Sequence, residues 1–167
     1  MRTLKYAILG LLTEDDMTYA DIKEEINGLI GQFWSAKNSQ IAPELRKLSQ
    51  EGAIIYTQES TLYHVTEYGR EEFLRWAIRD EACDTIEKDA FCMRLLFSDN
   101  IERSQTVQLL KSQIGQHKAK LKYLELSLPL LLKDPSNIGE QLVQKRIISK
   151  EQAYIDWLEE CLSYFND

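Results

Sequence analysis

Cysteine, histidine, proline and long apolar runs are all scarce in this chain, and each shortage removes a class of function. The three cysteines, Cys83, Cys92 and Cys161, are odd in number and widely scattered. They suggest neither a disulfide framework nor a metal knuckle. Nothing basic clusters near them to lower a thiol pKa, so they read as small core residues. The two histidines, His64 and His117, have no Ser, Cys or Asp arranged with them as nucleophile and base, and they are not spaced as metal ligands. With no glycine-rich phosphate loop either, the chain reads as a non-enzyme needing no cofactor and no metal. The longest apolar run, Leu128 to Leu132, contains Pro129 and is too short to cross a bilayer. The apolar start from Tyr6 to Leu12 follows only Arg2 and Lys5 and leads into acidic residues, so no secretory leader and no membrane are expected, and the location is expected to be cytoplasmic.

What is present is a core and an acid excess. At 167 residues and 44% hydrophobic content, the chain can bury one sizeable core or two small ones. Its net charge is −7, which opposes contact with nucleic acid. Residues 1–80 hold nine Lys or Arg against thirteen Asp or Glu, a local net of −4. From Lys37 to Lys47, however, three cations face the single Glu44. Local sign outweighs the total, because exposed charges more than about 10 Å apart are largely screened at moderate salt.

That cationic stretch lies in a segment, Gln32 to Gly52, with the pattern of a short two-faced helix. Ile41, Leu45 and Leu48 share one face. The other carries Ser39, Gln40, Pro43, Arg46 and Lys47, side chains of the kinds that bond phosphates or base edges in a major groove. Pro43 is expected in the first turn, which puts the N-terminus near Asn38 or Ser39, either able to cap it. Ahead of it, Leu4, Ile8, Leu11 and Leu12 form one stripe of a helix over about 3–12. Thr18 with Asp21 has the form of a capping box for a second helix ending near Asn27, with Ile22, Ile26 and Leu29 inward. Two short helices joined through Gly28 and Gly31 outline a helix-turn-helix.

Gly52 is expected to close the third helix. Ala53 to Thr57 and Thr61 to Val65 then read as a β-hairpin, with Ile55 and Tyr63 over the core. Thr66 caps a fourth helix, 67–79, with Phe73, Leu74 and Trp76 facing inward. The expected fold is mainly α with a small β-hairpin: a winged helix-turn-helix over 1–80, followed by an all-α region over 81–167.

In the second region a helix is expected over 87–97. A capping box of Asp99 and Glu102 opens a long helix to about Ser127, and Pro129, Pro135, Asn137 and Gly139 mark a connection. A last helix runs over 140–165. Val107, Leu110, Ile114, His117, Leu121, Leu124 and Leu128 recur as a coiled-coil seam, answered by Tyr154, Leu158, Cys161 and Phe165. A second copy of the chain is the economical cover for these stripes, and an intramolecular helical hairpin packed on the winged helix is the alternative. The expected homodimer interface is Leu110, Ile114, His117, Leu121, Leu124, Tyr154, Leu158 and Cys161. Two winged helices on a twofold axis would read a pseudo-palindromic duplex operator.

The motifs Ile8-Leu9-Gly10-Leu11-Leu12, Phe33-Trp34-Ser35-Ala36, Gln40-Ile41-Ala42-Pro43-Glu44-Leu45 with Leu48, and Tyr63-His64-Val65-Thr66-Glu67-Tyr68-Gly69 occur in this order. They resemble the winged-helix domain of the PadR family of bacterial transcriptional regulators. MRTLKYAILGLL and FWSAKNSQIAPELRKL, with the stretches around Lys88-Asp89-Ala90-Phe91 and Tyr154 to Glu159, are most similar to its phenolic-acid-responsive repressors. The chain departs from that pattern at Ala42, where the family usually has tyrosine, at Tyr19-Ala20 in place of Gly-Tyr, and in a short wing, Gln58-Glu59-Ser60-Thr61, without a cation.

The resemblance implies a dimeric repressor released by a small aromatic acid bound between winged helix and dimerisation helices. Its DNA contacts would be Thr18, Tyr19, Ser35, Lys37, Asn38, Ser39, Gln40, Pro43, Arg46 and Lys47. The aromatic walls and cations available to an effector are Trp76, Phe91, Tyr154 and Trp157 with Arg79, Arg94 and Arg146, and His117 is a further candidate to bond the acid. The competing readings are an acidic winged helix that binds protein and a multidrug-sensing regulator with a different apolar ligand.

Overall fold

The computed structural model describes residues 2–79, 89–132 and 137–165. The expected domain boundary at 80/81, Cys83, Pro135 and the expected helix start at 87 lie outside the described residues. The chain forms two compact units, 1–84 and 85–167.

The first unit is built from α1 (Thr3–Glu14), β1 (Met17–Thr18), α2 (Tyr19–Asn27), a single 3₁₀ turn (Ile30–Gln32), α3 (Asn38–Gln50), β2 (Ile54–Thr57), β3 (Leu62–Val65) and α4 (Glu67–Ala77). Its core is aliphatic. Ile8, Leu9 and Leu12 of α1, Ile22 and Ile26 of α2, and Ile41, Leu45 and Leu48 of α3 are all buried with Ile54. The Thr18–Asp21 capping box forms as expected and starts α2. After α3 the chain turns through Gly52, whose φ of +72° favours glycine. The Gly52 N–H donates to the Ser49 carbonyl at 3.1 Å and the Ala53 N–H to the Leu48 carbonyl at 2.9 Å, the paired bonds of a Schellman stop.

The three strands are antiparallel in the order β1-β3-β2. Two residues of β1 pair with Tyr63 and Leu62, and a strand that short has no alternation by which sequence could reveal it. The hairpin itself is where expected and Tyr63 packs on the core as expected, but on β2 the inward residue is shifted by one. Ile54 is buried and Ile55 is 58% exposed. The Schellman turn sets that phase, and a slip of one residue exchanges the two faces of a strand. Leu74, expected inside, is also exposed, whereas Phe73 packs on the core and Trp76 stacks on Tyr6 with ring centroids 4.8 Å apart.

The second unit contains α5 (Ala90–Leu96), a 3₁₀ turn (Ser98–Asn100), α6 (Arg103–Leu131) and α7 (Ile138–Ser163). Asp89 caps α5 by accepting the N–H groups of Phe91 and Cys92 at 2.8 and 3.0 Å. Asp99 falls inside the 3₁₀ turn, so the expected Asp99–Glu102 box does not form. Instead the Glu102 carbonyl accepts the N–H groups of Gln105 and Thr106 as α6 begins. Pro129 lies within α6, which runs past the expected end at Ser127. Helices α6 and α7 pack antiparallel, with bonds from Gln144 to Leu124 and from Arg103 to Phe165. Among the described residues no helix is long and apolar enough to cross a membrane.

Gly69 in α4 sits directly under the turn that follows α3. A Cβ there would lie 2.1 Å from the Ala53 carbonyl oxygen, which is backbone and cannot swing aside. Gly69→Ala is therefore expected to push α4 off the sheet and destabilise the protein by roughly 2–3 kcal/mol. An unchanged thermal midpoint for the full-length variant would contradict this packing.

Candidate nucleic-acid interface

Burial of Ile41, Leu45 and Leu48 leaves the opposite face of α3 in solvent. Ser35, Lys37, Asn38, Ser39, Gln40, Pro43, Arg46 and Lys47 are all exposed. The cap differs from expectation. Asn38 and Ser39 are the first residues of the helix and Lys37 occupies the cap position. The Lys37 N–H donates to Gln40 Oε1 at 3.1 Å, and the Lys37 carbonyl accepts the Gln40 N–H at 2.8 Å. Pro43 consequently falls in the second turn rather than the first, where it has no N–H to give the Ser39 carbonyl. Asn27 Nδ2 donates to Asn38 Oδ1 at 3.0 Å, tying the end of α2 to the start of α3. Thr18 is half-buried and its hydroxyl is engaged with Asp21 at 2.7 Å, whereas Tyr19 next to it is 38% exposed.

Glu44, the one carboxylate within the cationic stretch, is turned away from that face. Arg2 holds it at 2.5 Å and also reaches Glu51 at 2.5 Å. Lys5 lies 3.5 Å from Glu51 and 2.9 Å from Glu72, so the network joins α1, α3 and α4. Burial opposes charge on Glu51, but Arg2 and Lys5 outweigh it and hold the carboxyl below the usual range. The hydrogen bond from Lys5 does the same for Glu72. Among the described residues Lys37, Arg46 and Lys47 make no ion pair, so their charge is free to face a ligand.

The Transcriptional regulator PadR-like family model matches residues 8–75, and the Virulence activator alpha C-term model matches residues 87–166. The Negative transcriptional regulator PadR of Bacillus subtilis (strain 168) is 35% identical over 178 residues, covering 98% of this chain and 97% of that protein. The chain belongs to the PadR family. Two solved structures of Bacillus subtilis PadR are similar throughout. One, in complex with operator DNA, has a TM-score of 0.91 at 36% identity over 99% of each chain. The other, in complex with p-coumaric acid, has a TM-score of 0.88 at 36% identity over 99% of this chain and 100% of that one.

In this PadR-family chain α6 and α7 pack on each other through several of the residues expected at the dimer interface. Leu110, Ile114, Leu121, Leu124 and Leu158 are buried, and Tyr154 and Cys161 half-buried, between α6 and α7 of the same chain. His117 Nδ1 bonds Glu151 Oε1 across the seam, and Lys120 Nζ donates to Glu151 Oε2 at 2.6 Å. The apolar surface left open near the hairpin tip is Tyr123, Leu126, Ile138 and Leu142, each more than 60% exposed. Sequence reasoning missed these because they lie off the heptad stripe.

Four of the residues proposed for an effector converge in the second unit. The Phe91 ring is edge-on to Trp157 at 6.5 Å, Trp157 lies 5.2 Å from Tyr154, and Tyr154 lies 4.6 Å from His117. The Tyr154 hydroxyl donates to Asp89 Oδ2 at 2.8 Å, and burial together with that carboxylate raises its pKa. Phe91 and Arg94 also line a shallow recess with Leu95, Ile101 and Thr106. The Thr106 hydroxyl is buried there without a hydrogen-bond partner among the described residues. Trp76 and Arg79 belong to the first unit, and Arg146 is exposed on α7.

The charge network makes the first unit acid-sensitive in a definite direction. Glu51 and Glu72 have folded pKa values below the unfolded value of about 4.3. Their contribution is present above that pH and is lost as pH falls through the lower folded values. Glu51→Gln is expected to lower the thermal midpoint at pH 7 and to flatten its decline below about pH 4.5. A pH series of melts by circular dichroism measures both, and an equally steep decline would remove Glu51 from the linkage.

Proposed function

We propose that this PadR-family chain is a cytoplasmic, dimeric repressor that grips duplex operator DNA with α3 of each protomer and lets go when a small aromatic acid binds. One observation carries the reading. α3 presents Gln40, Arg46 and Lys47 outward with both cations unpaired, while its only carboxylate is held back by Arg2. Gln can read an adenine edge in the major groove, and the cations neutralise phosphates. The similarity to a PadR solved with operator DNA supports the same use of this face. Dimerisation has support in the exposed apolar residues Tyr123, Leu126, Ile138 and Leu142 near the hairpin tip.

The effector class rests on the similarity to a PadR solved with p-coumaric acid and on the ring cluster of Phe91, Trp157 and Tyr154 near Arg94. Such an acid weakens DNA binding only as far as it prefers the released conformation. The direct test is a gel shift of the full-length protein on the region upstream of its own gene, with and without p-coumarate. A retained complex that dissolves as the acid is added is expected, and no retained complex at low salt would refute the reading.

Lys47→Ala is expected to weaken binding about equally across related operator sequences. It should also reduce the slope of log affinity against log salt by roughly one. Titrations at four salt concentrations check this, and an unchanged slope would remove Lys47 from the phosphate contacts.

A further inference from the structure

α3 carries its own competitor for DNA. Glu44 stands three residues before Lys47 and four after Gln40, the two spacings at which side chains on one helix meet. Both neighbours lie on the solvent-facing side of the helix. A glutamate placed N-terminal to a lysine also has the more favourable order for an ion pair along a helix. Left to itself, Glu44 would pair with Lys47 and cancel the charge that a phosphate needs.

Arg2 prevents this. From the cap position of α1 it donates to Glu44 Oε1 through Nε at 3.1 Å and Nη2 at 2.5 Å. Among the described residues Glu44 has no other ion pair or side-chain hydrogen bond, and its side chain is only 15% exposed. The other two carboxylates of the network each have a cation besides Arg2. Glu51 has Lys5 at 3.5 Å, and Glu72 has Lys5 at 2.9 Å and Arg75 at 2.8 Å. Glu44 is therefore the carboxylate that losing Arg2 sets free. The pairing spans 42 residues of sequence, so the packing of α1 and α3 in one core sets it.

We infer that Arg2 is a positioning residue for DNA recognition: by holding Glu44 toward α1 it keeps Lys47 free for phosphate. The inference rests on the DNA-binding reading above and adds to it a residue that acts on DNA only through another. A lysine already paired within the protein must leave its carboxylate before it neutralises a phosphate. It then contributes less affinity and less counterion release, so losing Arg2 reproduces part of losing Lys47.

The test uses the full-length protein and a duplex selected by it from a random library, read by fluorescence anisotropy across a salt series. Each variant is measured below its own thermal midpoint, so that lost stability does not enter. Arg2→Gln is expected to bind about three- to tenfold more weakly at about 0.1 M salt, with a slope of log affinity against log salt lower by up to about one. Removing any cation near DNA weakens binding, so a mutant cycle with Lys47 decides. In the Arg2→Gln background, Lys47→Ala is expected to change affinity by less than about twofold. Arg2→Gln/Glu44→Gln keeps the wild-type net charge, and it is expected to return to within about twofold of wild-type affinity and to regain its sensitivity to Lys47→Ala. Wild-type affinity in Arg2→Gln, the full Lys47→Ala loss in that background, or no recovery in the double variant would overturn the inference while leaving DNA binding intact. Failure of the selection to enrich any duplex would sink the DNA-binding reading and this inference with it.

Discussion

Everything proposed for this protein depends on α3 being held from one side only. Ile41, Leu45 and Leu48 are at most 1% exposed, and burying three such side chains contributes about 1.5–3 kcal/mol each. A helix advances 100° per residue, so anchoring those three positions forces Gln40, Pro43, Arg46 and Lys47 to the far side. The apolar anchor fixes direction but not charge. Arg2 supplies the second half by drawing Glu44 back toward α1, and Glu51 and Glu72 hold Arg2 and Lys5 in turn. A structural network thus engages Glu44, the one carboxylate of α3, and leaves Arg46 and Lys47 without an ion pair among the described residues.

The first unit was largely legible because its signals are local. A spacing of four and three marks α3, and a Thr-x-x-Asp box starts α2, which the structure realises with both reciprocal bonds. The errors arose where a local pattern needs a phase from elsewhere. Whether Ile54 or Ile55 faces the core is decided by the Gly52 turn, and both residues are equally apolar. Leu74 lies beside Phe73, and only the packing of Phe73 against Gly10 shows which of the two α4 buries.

The second unit shows a different limit. A heptad stripe reveals that a helix face is covered but not by what. Here α6 and α7 cover each other, and their buried polar residues are satisfied across the seam: Gln144 donates to the Leu124 carbonyl and to Ser127 Oγ, and Glu151 is bonded by His117 and Lys120. Such bonds form in one register and leave a buried polar group unpaired in others, so they specify the hairpin as well as stabilise it. The open apolar residues Tyr123, Leu126, Ile138 and Leu142 at the tip lie outside that stripe.

The acid excess, which first argued against DNA, fits this arrangement. Acidic surface elsewhere on the chain repels a polyanion at random approach, and at moderate salt that repulsion fades beyond about 10 Å. It leaves intact the attraction of Lys37, Arg46 and Lys47 once α3 is seated. Non-specific binding depends on charge alone and loses most, whereas specific binding, in the proposed use of α3, also draws on Gln40 at a base edge. With only three free cations on this face, discrimination between an operator and bulk DNA rests on geometry more than on Coulomb attraction. A repressor of that kind stays easy to dislodge, because an effector has a smaller electrostatic term to overcome.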